Sequence, residues 1–131
     1  MEQIKKLCDE FKIDINRIIE YKNDELHINL YNRHIGVEGC KYLEKINCHT
    51  LNLRWNNIGS EGCKYLEKIN CHTMYLGGNN IPNYETIESN IKKRYIERIN
   101  IITKVLNDFL INDLINIVHQ YHNFETKKSE N

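Results

Sequence analysis

The sequence predicts an α/β fold: a short solenoid of about three 23-residue strand–turn–helix repeats with parallel strands, flanked by helices at both ends. Three observations lead there. The stretch EGCKYLEKINCHT stands at residues 38–50 and again at 61–73. Apolar residues recur in register at the same spacing: Ile28, Leu51 and Met74; Leu30, Leu53 and Leu76; Ile35, Ile58 and Ile81. Within one period the apolar pattern changes from alternation to helical spacing. A fixed period in the twenties marks units that bury their apolar faces against their neighbours.

Residues 1–24 are expected to form an N-terminal helical cap. Ile4, Leu7, Cys8 and Phe11 fall at helical spacing, and Ile15, Ile18, Ile19 and Tyr21 follow Asp14, a candidate N-cap for a second helix. The repeats occupy 25–82. LNL at 51–53 alternates as a half-buried strand does, Asn56 and Asn57 suit a turn, and Ser60 precedes a short helix carrying Cys63, Leu66 and Ile69. The core predicted for the repeats is Ile28, Leu30, Ile35, Leu43, Ile46, Cys48, Leu51, Leu53, Ile58, Leu66, Ile69, Cys71, Met74, Leu76 and Ile81. Cys40 and Cys63 are assigned the small inward position of each helix.

Residues 83–123 read as C-terminal helices. Asn83 caps a long one whose side is lined by Ile87, Ile91, Tyr95, Ile99, Ile102, Leu106 and Phe109; Asn112-Asp113 opens a shorter one. A tail at 124–131 is expected to be disordered. The apolar side of the long helix exceeds what three repeats can cover, so a homodimer through it is a further expectation.

The segments CHTLNLRWNNIGSEG and CHTMYLGGNNI resemble the leucine-rich repeat pattern L-x-x-L-x-L-x-x-N-x-[IL], with Cys48 and Cys71 in the first leucine position. The Ile-Gly-x-Glu-Gly continuation is similar to the ribonuclease-inhibitor-like and NOD-receptor-like type. The period is shorter than usual for that type, and the first copy has Glu25 and Arg33 where the leucine and asparagine belong. The resemblance implies a leucine-rich-repeat solenoid that binds a protein partner on its concave strand face. The residues it assigns there are Tyr31, Asn52, Arg54, Trp55 and Tyr75. Arg, Trp and Tyr dominate protein interfaces because each joins a large contact area to a polar tip.

Two alternatives accompany that reading. FLINDLINIVHQYH at 109–122 resembles the opening of F-box-like segments, which would make the protein a substrate adaptor for a ubiquitin ligase, although Ile111 stands where the customary proline belongs. F-box-like segments often accompany repeats in large DNA viruses and their hosts. The other alternative is a structural or assembly protein. Isoleucine, asparagine and lysine make up about two-fifths of the chain and alanine is absent, a bias that AT-rich genomes such as those of giant viruses or protists produce.

Other functions find little support. Lys and Arg total 18, as do Asp and Glu, so no net field favours nucleic acid or an anionic membrane. Lys104, Asp108 and Asp113 interrupt the most apolar segment, which argues against a membrane span. The N-terminus has no apolar run of the secretory kind, and five cysteines read as free thiols in an intracellular, cytoplasmic setting. No metal site is expected: adjacent residues of an extended chain face opposite sides, so Cys48 and His49, or Cys71 and His72, cannot readily converge on one ion. Gly77-Gly78 lacks the Lys-Ser/Thr of a phosphate loop, and no nucleophile motif surrounds Cys8 or any serine. Neither a cofactor nor catalysis is expected.

Overall fold

The structure is a computed structural model that describes residues 1–130. Among the described residues two compact units are present, 1–96 and 97–130. In the first, α1 (Glu2–Phe11) is followed by a single 3-10 turn (Ile15–Arg17), β1 (Ile19–Lys22), β2 (Glu25–Asn29), α2 (Gly36–Lys41), β3 (Asn47–Asn52), α3 (Gly59–Leu66) and β4 (Asn70–Tyr75). The last element, α4, runs from Tyr84 to Ser129; residues 84–96 belong to the first unit and the remainder to the second.

The sheet order is β1-β2-β3-β4. Strands β2, β3 and β4 are parallel, with His27 opposite Thr50, Cys48 opposite Cys71 and Leu51 opposite Met74. Strand β1 pairs antiparallel with β2, Ile19 opposite Ile28. The expected leucine-rich-repeat solenoid of parallel strands is therefore corrected to a four-stranded mixed sheet with four helices. Only two of the three periods carry a return helix of their own; after β4 the chain passes into α4.

The sequence placed a second cap helix where the chain forms a hairpin. Asp14 does cap, accepting from the Asn16 N–H at 3.0 Å, but the helix it opens lasts one turn. Asn23 and Asp24 then both take left-handed backbone (φ 52° and 61°), the conformation of a two-residue primed hairpin turn whose twist matches its strands. The β-branched isoleucines before it suit a strand better than a helix. This antiparallel strand covers the edge of β2 that the helix pair was expected to shield.

The C-terminal segment is corrected as well. No break occurs at residues 111–113, and the helix continues through 124–129, where a disordered tail was expected. The chain from 84 to 129 contains neither glycine nor proline, so nothing in it interrupts the backbone ladder. Position 131 lies outside the described residues.

All the predicted repeat-core residues are buried, and Ile4, Leu7, Cys8, Ile18 and Ile91 complete the same cluster. The glycines beside the predicted cysteines make room for the N-cap isoleucine of their own helix. A Cβ on Gly39 would lie 2.4 Å from Ile35 Cβ, and one on Gly62 would lie 2.2 Å from Ile58 Cγ2. Cys63 itself is only partly buried.

Between strand and helix the chain turns on a buried amide. The Asn56 side chain donates to the carbonyls of Leu30 (2.7 Å) and Leu53 (2.9 Å), while its oxygen accepts from the Arg33 N–H (2.9 Å). One period later Asn79 donates to Leu53 (2.8 Å) and Leu76 (2.7 Å) and accepts from the Asn56 N–H (2.8 Å). Both are inaccessible to solvent. Asn56→Ala strands several buried backbone groups at about 1–3 kcal/mol each, so a loss of at least about 3 kcal/mol is expected in urea unfolding. The exposed-side Asn52→Ala should stay within about 1 kcal/mol. Gly62→Ala, which overpacks against Ile58, should cost about 1–3 kcal/mol in the same measurement.

Candidate protein-contact surface

The sheet face opposite the helices is built from the residues between the buried strand positions. Asn29, Asn52 and Tyr75 form one row across β2, β3 and β4; His27, Thr50 and Thr73 form another. A groove of about 330 Å³ runs along this face, lined by Arg17, His27, Asn29, Thr50, Asn52 and Tyr75 among others.

At the strand ends two asparagines turn the chain in the same way. Asn29 Oδ1 accepts from the Tyr31 N–H at 3.1 Å, and Asn52 Oδ1 accepts from the Arg54 N–H at 3.2 Å. The predicted contact residues come together at this end of the sheet. Tyr31, Arg54, Trp55 and Tyr75 are exposed and Asn52 is half-buried. The Arg54 guanidinium carbon lies 4.2 Å from the centre of the Tyr75 ring, a cation–π arrangement that holds both in one orientation.

Trp55 is the residue whose conformation its type does not explain. The same point in each period takes left-handed backbone: Asn32 (φ 51°), Trp55 (φ 59°) and Gly78 (φ 75°). Asparagine and glycine adopt that conformation readily; a bulky aromatic residue is a genuine outlier there, and the cost is about 1–2 kcal/mol. The Trp55 N–H donates to the Gly77 carbonyl at 3.1 Å. Its indole lies flat against Gly78, where a Cβ would come within 2.6 Å of the ring. The sequence selected Trp55 as an interface residue type; that Gly78 is the floor under it becomes visible only in the structure.

A second feature of the sheet is a histidine row. His27 and His49 have ring centres 5.4 Å apart, His49 and His72 are stacked at 4.6 Å, and Tyr95 meets His72 edge-on at 5.6 Å. The one-residue register offset of His27 shows as a tilt of 59° rather than a stack. His49 faces Glu25 at 3.4 Å, His72 Nδ1 lies 2.8 Å from Thr73 Oγ1, and His27 Nε2 is buried without a partner. Burial, then the charges of His49 and Lys92, push the His72 pKa below its usual value, with Glu25 opposing.

Among the described residues no group of three or more His, Cys, Asp or Glu side chains is placed to hold a metal ion. The cysteines are free thiols. Burial, and to a lesser degree Cys63, pushes Cys40 up to about 12, and the contact with Cys71 together with burial pushes Cys48 up too. Thiols held protonated are poor nucleophiles and poor metal ligands. Among the described residues no helix is long and apolar enough to cross a membrane. No protein-family model, curated protein or solved structure matches the chain.

The lowered His72 pKa has a definite sign in stability. Above about pH 6.5 both folded and unfolded chains hold the ring neutral, and its contribution is fully present. As pH falls below that value the unfolded state takes the proton first, so stability declines until the folded pKa is passed. His72→Gln should flatten this acid-side decline in thermal unfolding followed from pH 7 to 5; an unchanged slope would assign it to other groups.

Proposed function

We propose that this chain is a non-enzymatic docking module that holds a protein partner against the open face of its sheet through Tyr31, Asn52, Arg54, Trp55 and Tyr75. The observation that carries the reading is Trp55. An exposed indole kept in a backbone conformation unfavourable to it, while the neighbouring periods use asparagine and glycine, has no use in folding that those residues would not serve better. Large aromatic rings and arginine, held rigid before contact, are what protein interfaces spend least entropy to order. The Arg54–Tyr75 stack and the Gly78 floor provide that rigidity. Beside them the groove offers amide, hydroxyl and imidazole groups that suit backbone and polar side chains of a partner.

The test separates binding from folding. Trp55→Gly relieves the left-handed strain and should keep stability within about 1 kcal/mol of the parent. In affinity capture from lysate, read by mass spectrometry, at least one protein retained by the parent should be lost with Trp55→Gly and with Arg54→Ala/Tyr75→Ala. Recovery of the same proteins by folded variants and parent alike would refute the assignment of this face.

A further inference from the structure

The hydrogen-bonding capacity left unused around Arg54 and Asn52 is mainly that of donors. Asn29 and Asn52 turn their Oδ1 atoms back to the N–H groups of Tyr31 and Arg54, at 3.1 and 3.2 Å. A backbone N–H can only donate, so these contacts fix which end of each amide is which. Each Nδ2 group is left without an acceptor among the described residues. Arg54 adds five N–H donors. Its guanidinium lies 4.2 Å from the centre of the Tyr75 ring, a contact that supplies no acceptor oxygen. Among the described residues Arg54 enters no ion pair.

The carboxylates of the repeats are engaged elsewhere. Glu38 binds Lys41 at 2.7 Å, Glu44 binds Lys68 at 3.0 Å and Glu61 lies 3.6 Å from Lys64. Along β2, β3 and β4 the one acid is Glu25, which faces His49 at 3.4 Å. Two further acids stand at the margins. Glu20 of β1 is opposite His27, and Glu88 of α4 accepts from the Leu76 N–H at 2.6 Å. The middle of the sheet therefore offers donors with no acid of its own to occupy them.

Resting on the docking reading above, we propose that the partner lays an acidic stretch of polypeptide on this face. Its carboxylates take the Asn29 and Asn52 amide N–H groups and the Arg54 guanidinium, while an adjoining side chain covers Trp55. An ionised carboxylate only accepts, and the planar arginine fork matches its two oxygens. A nucleic-acid strand fits less well. It brings a charge with every nucleotide, against one arginine here, and meets Glu20 and Glu88 at the two margins.

Selection of a random peptide library, displayed on phage, against the intact chain tests this. The recovered peptides should be enriched in Asp and Glu and should be lost with Trp55→Gly. Selection on Arg54→Glu, an exposed position outside the core, should abolish the enrichment. Replacing the acids of the best binder by their amides should weaken binding at least about tenfold, read from the emission of Trp55, the single tryptophan of the chain. That advantage should shrink as salt is added. Peptides that need Trp55 but show no excess of acids would overturn the acidic partner and leave the docking face standing. Peptides indifferent to Trp55→Gly, or no selectable peptide at all, would overturn both. A thymidylate oligonucleotide bound more tightly than the selected peptides would assign the donors to phosphate and refute the proposal.

Discussion

Two buried asparagine side chains hold the sheet unit in its period. Asn56 and Asn79 each join two successive layers of chain, donating to the strand end before them and to their own, and accepting from the backbone of the preceding turn. Where the chain leaves a strand its peptide groups face the interior at an angle no regular ladder satisfies. An amide, with two donors and an oxygen that takes more than one bond, closes those groups at once. Neither serine nor aspartate has the same set. Because the amides are fully enclosed, their bonds are made without competition from water, and the penalty for leaving one open is correspondingly large.

Much of the surface follows from that bracket. With the turn fixed, the backbone takes left-handed values at three points in a period: Asn32, His34 and Gly36 in the first, Trp55, Asn57 and Gly59 in the second. The strands are thereby set in register, so that side chains a period apart become neighbours across the sheet. The row of Asn29, Asn52 and Tyr75 and the stack of His49 on His72 are consequences of register. So is the position of Gly78 beneath the Trp55 ring.

The parts legible in the sequence were those repeated in it. The period located the buried residues of β2 to β4 and the exposed ones between them, because identical sequence in neighbouring layers must satisfy identical surroundings. Residues 15–24 occur once, and there Asp14 and the isoleucines fitted a helix start as well as a hairpin; the two left-handed residues at Asn23 and Asp24 decided the matter. That Asn56 suits a turn is plain from its type, but its reach to Leu30 is not, because a distant carbonyl carries no mark in sequence. The helical stretch beyond residue 110 was divided at Asn112-Asp113 on the strength of a capping pattern. A capping residue ends a helix only if the backbone before it departs from helical angles, and nothing there obliges it to.

The bracket also makes the unit extensible. Each asparagine stands in the same relation to the layer before it: Asn56 reaches back to Leu30 as Asn79 reaches back to Leu53, and Arg33 and Asn56 donate forward alike. A further copy inserted in the middle would find its donors and acceptors already matched on both sides, while the hairpin and the start of α4 stayed in place as ends. Length in this fold is thus a heritable variable independent of its termini. The near-identical copies at 38–50 and 61–73 are the imprint such a step leaves in a chain before the two layers have diverged.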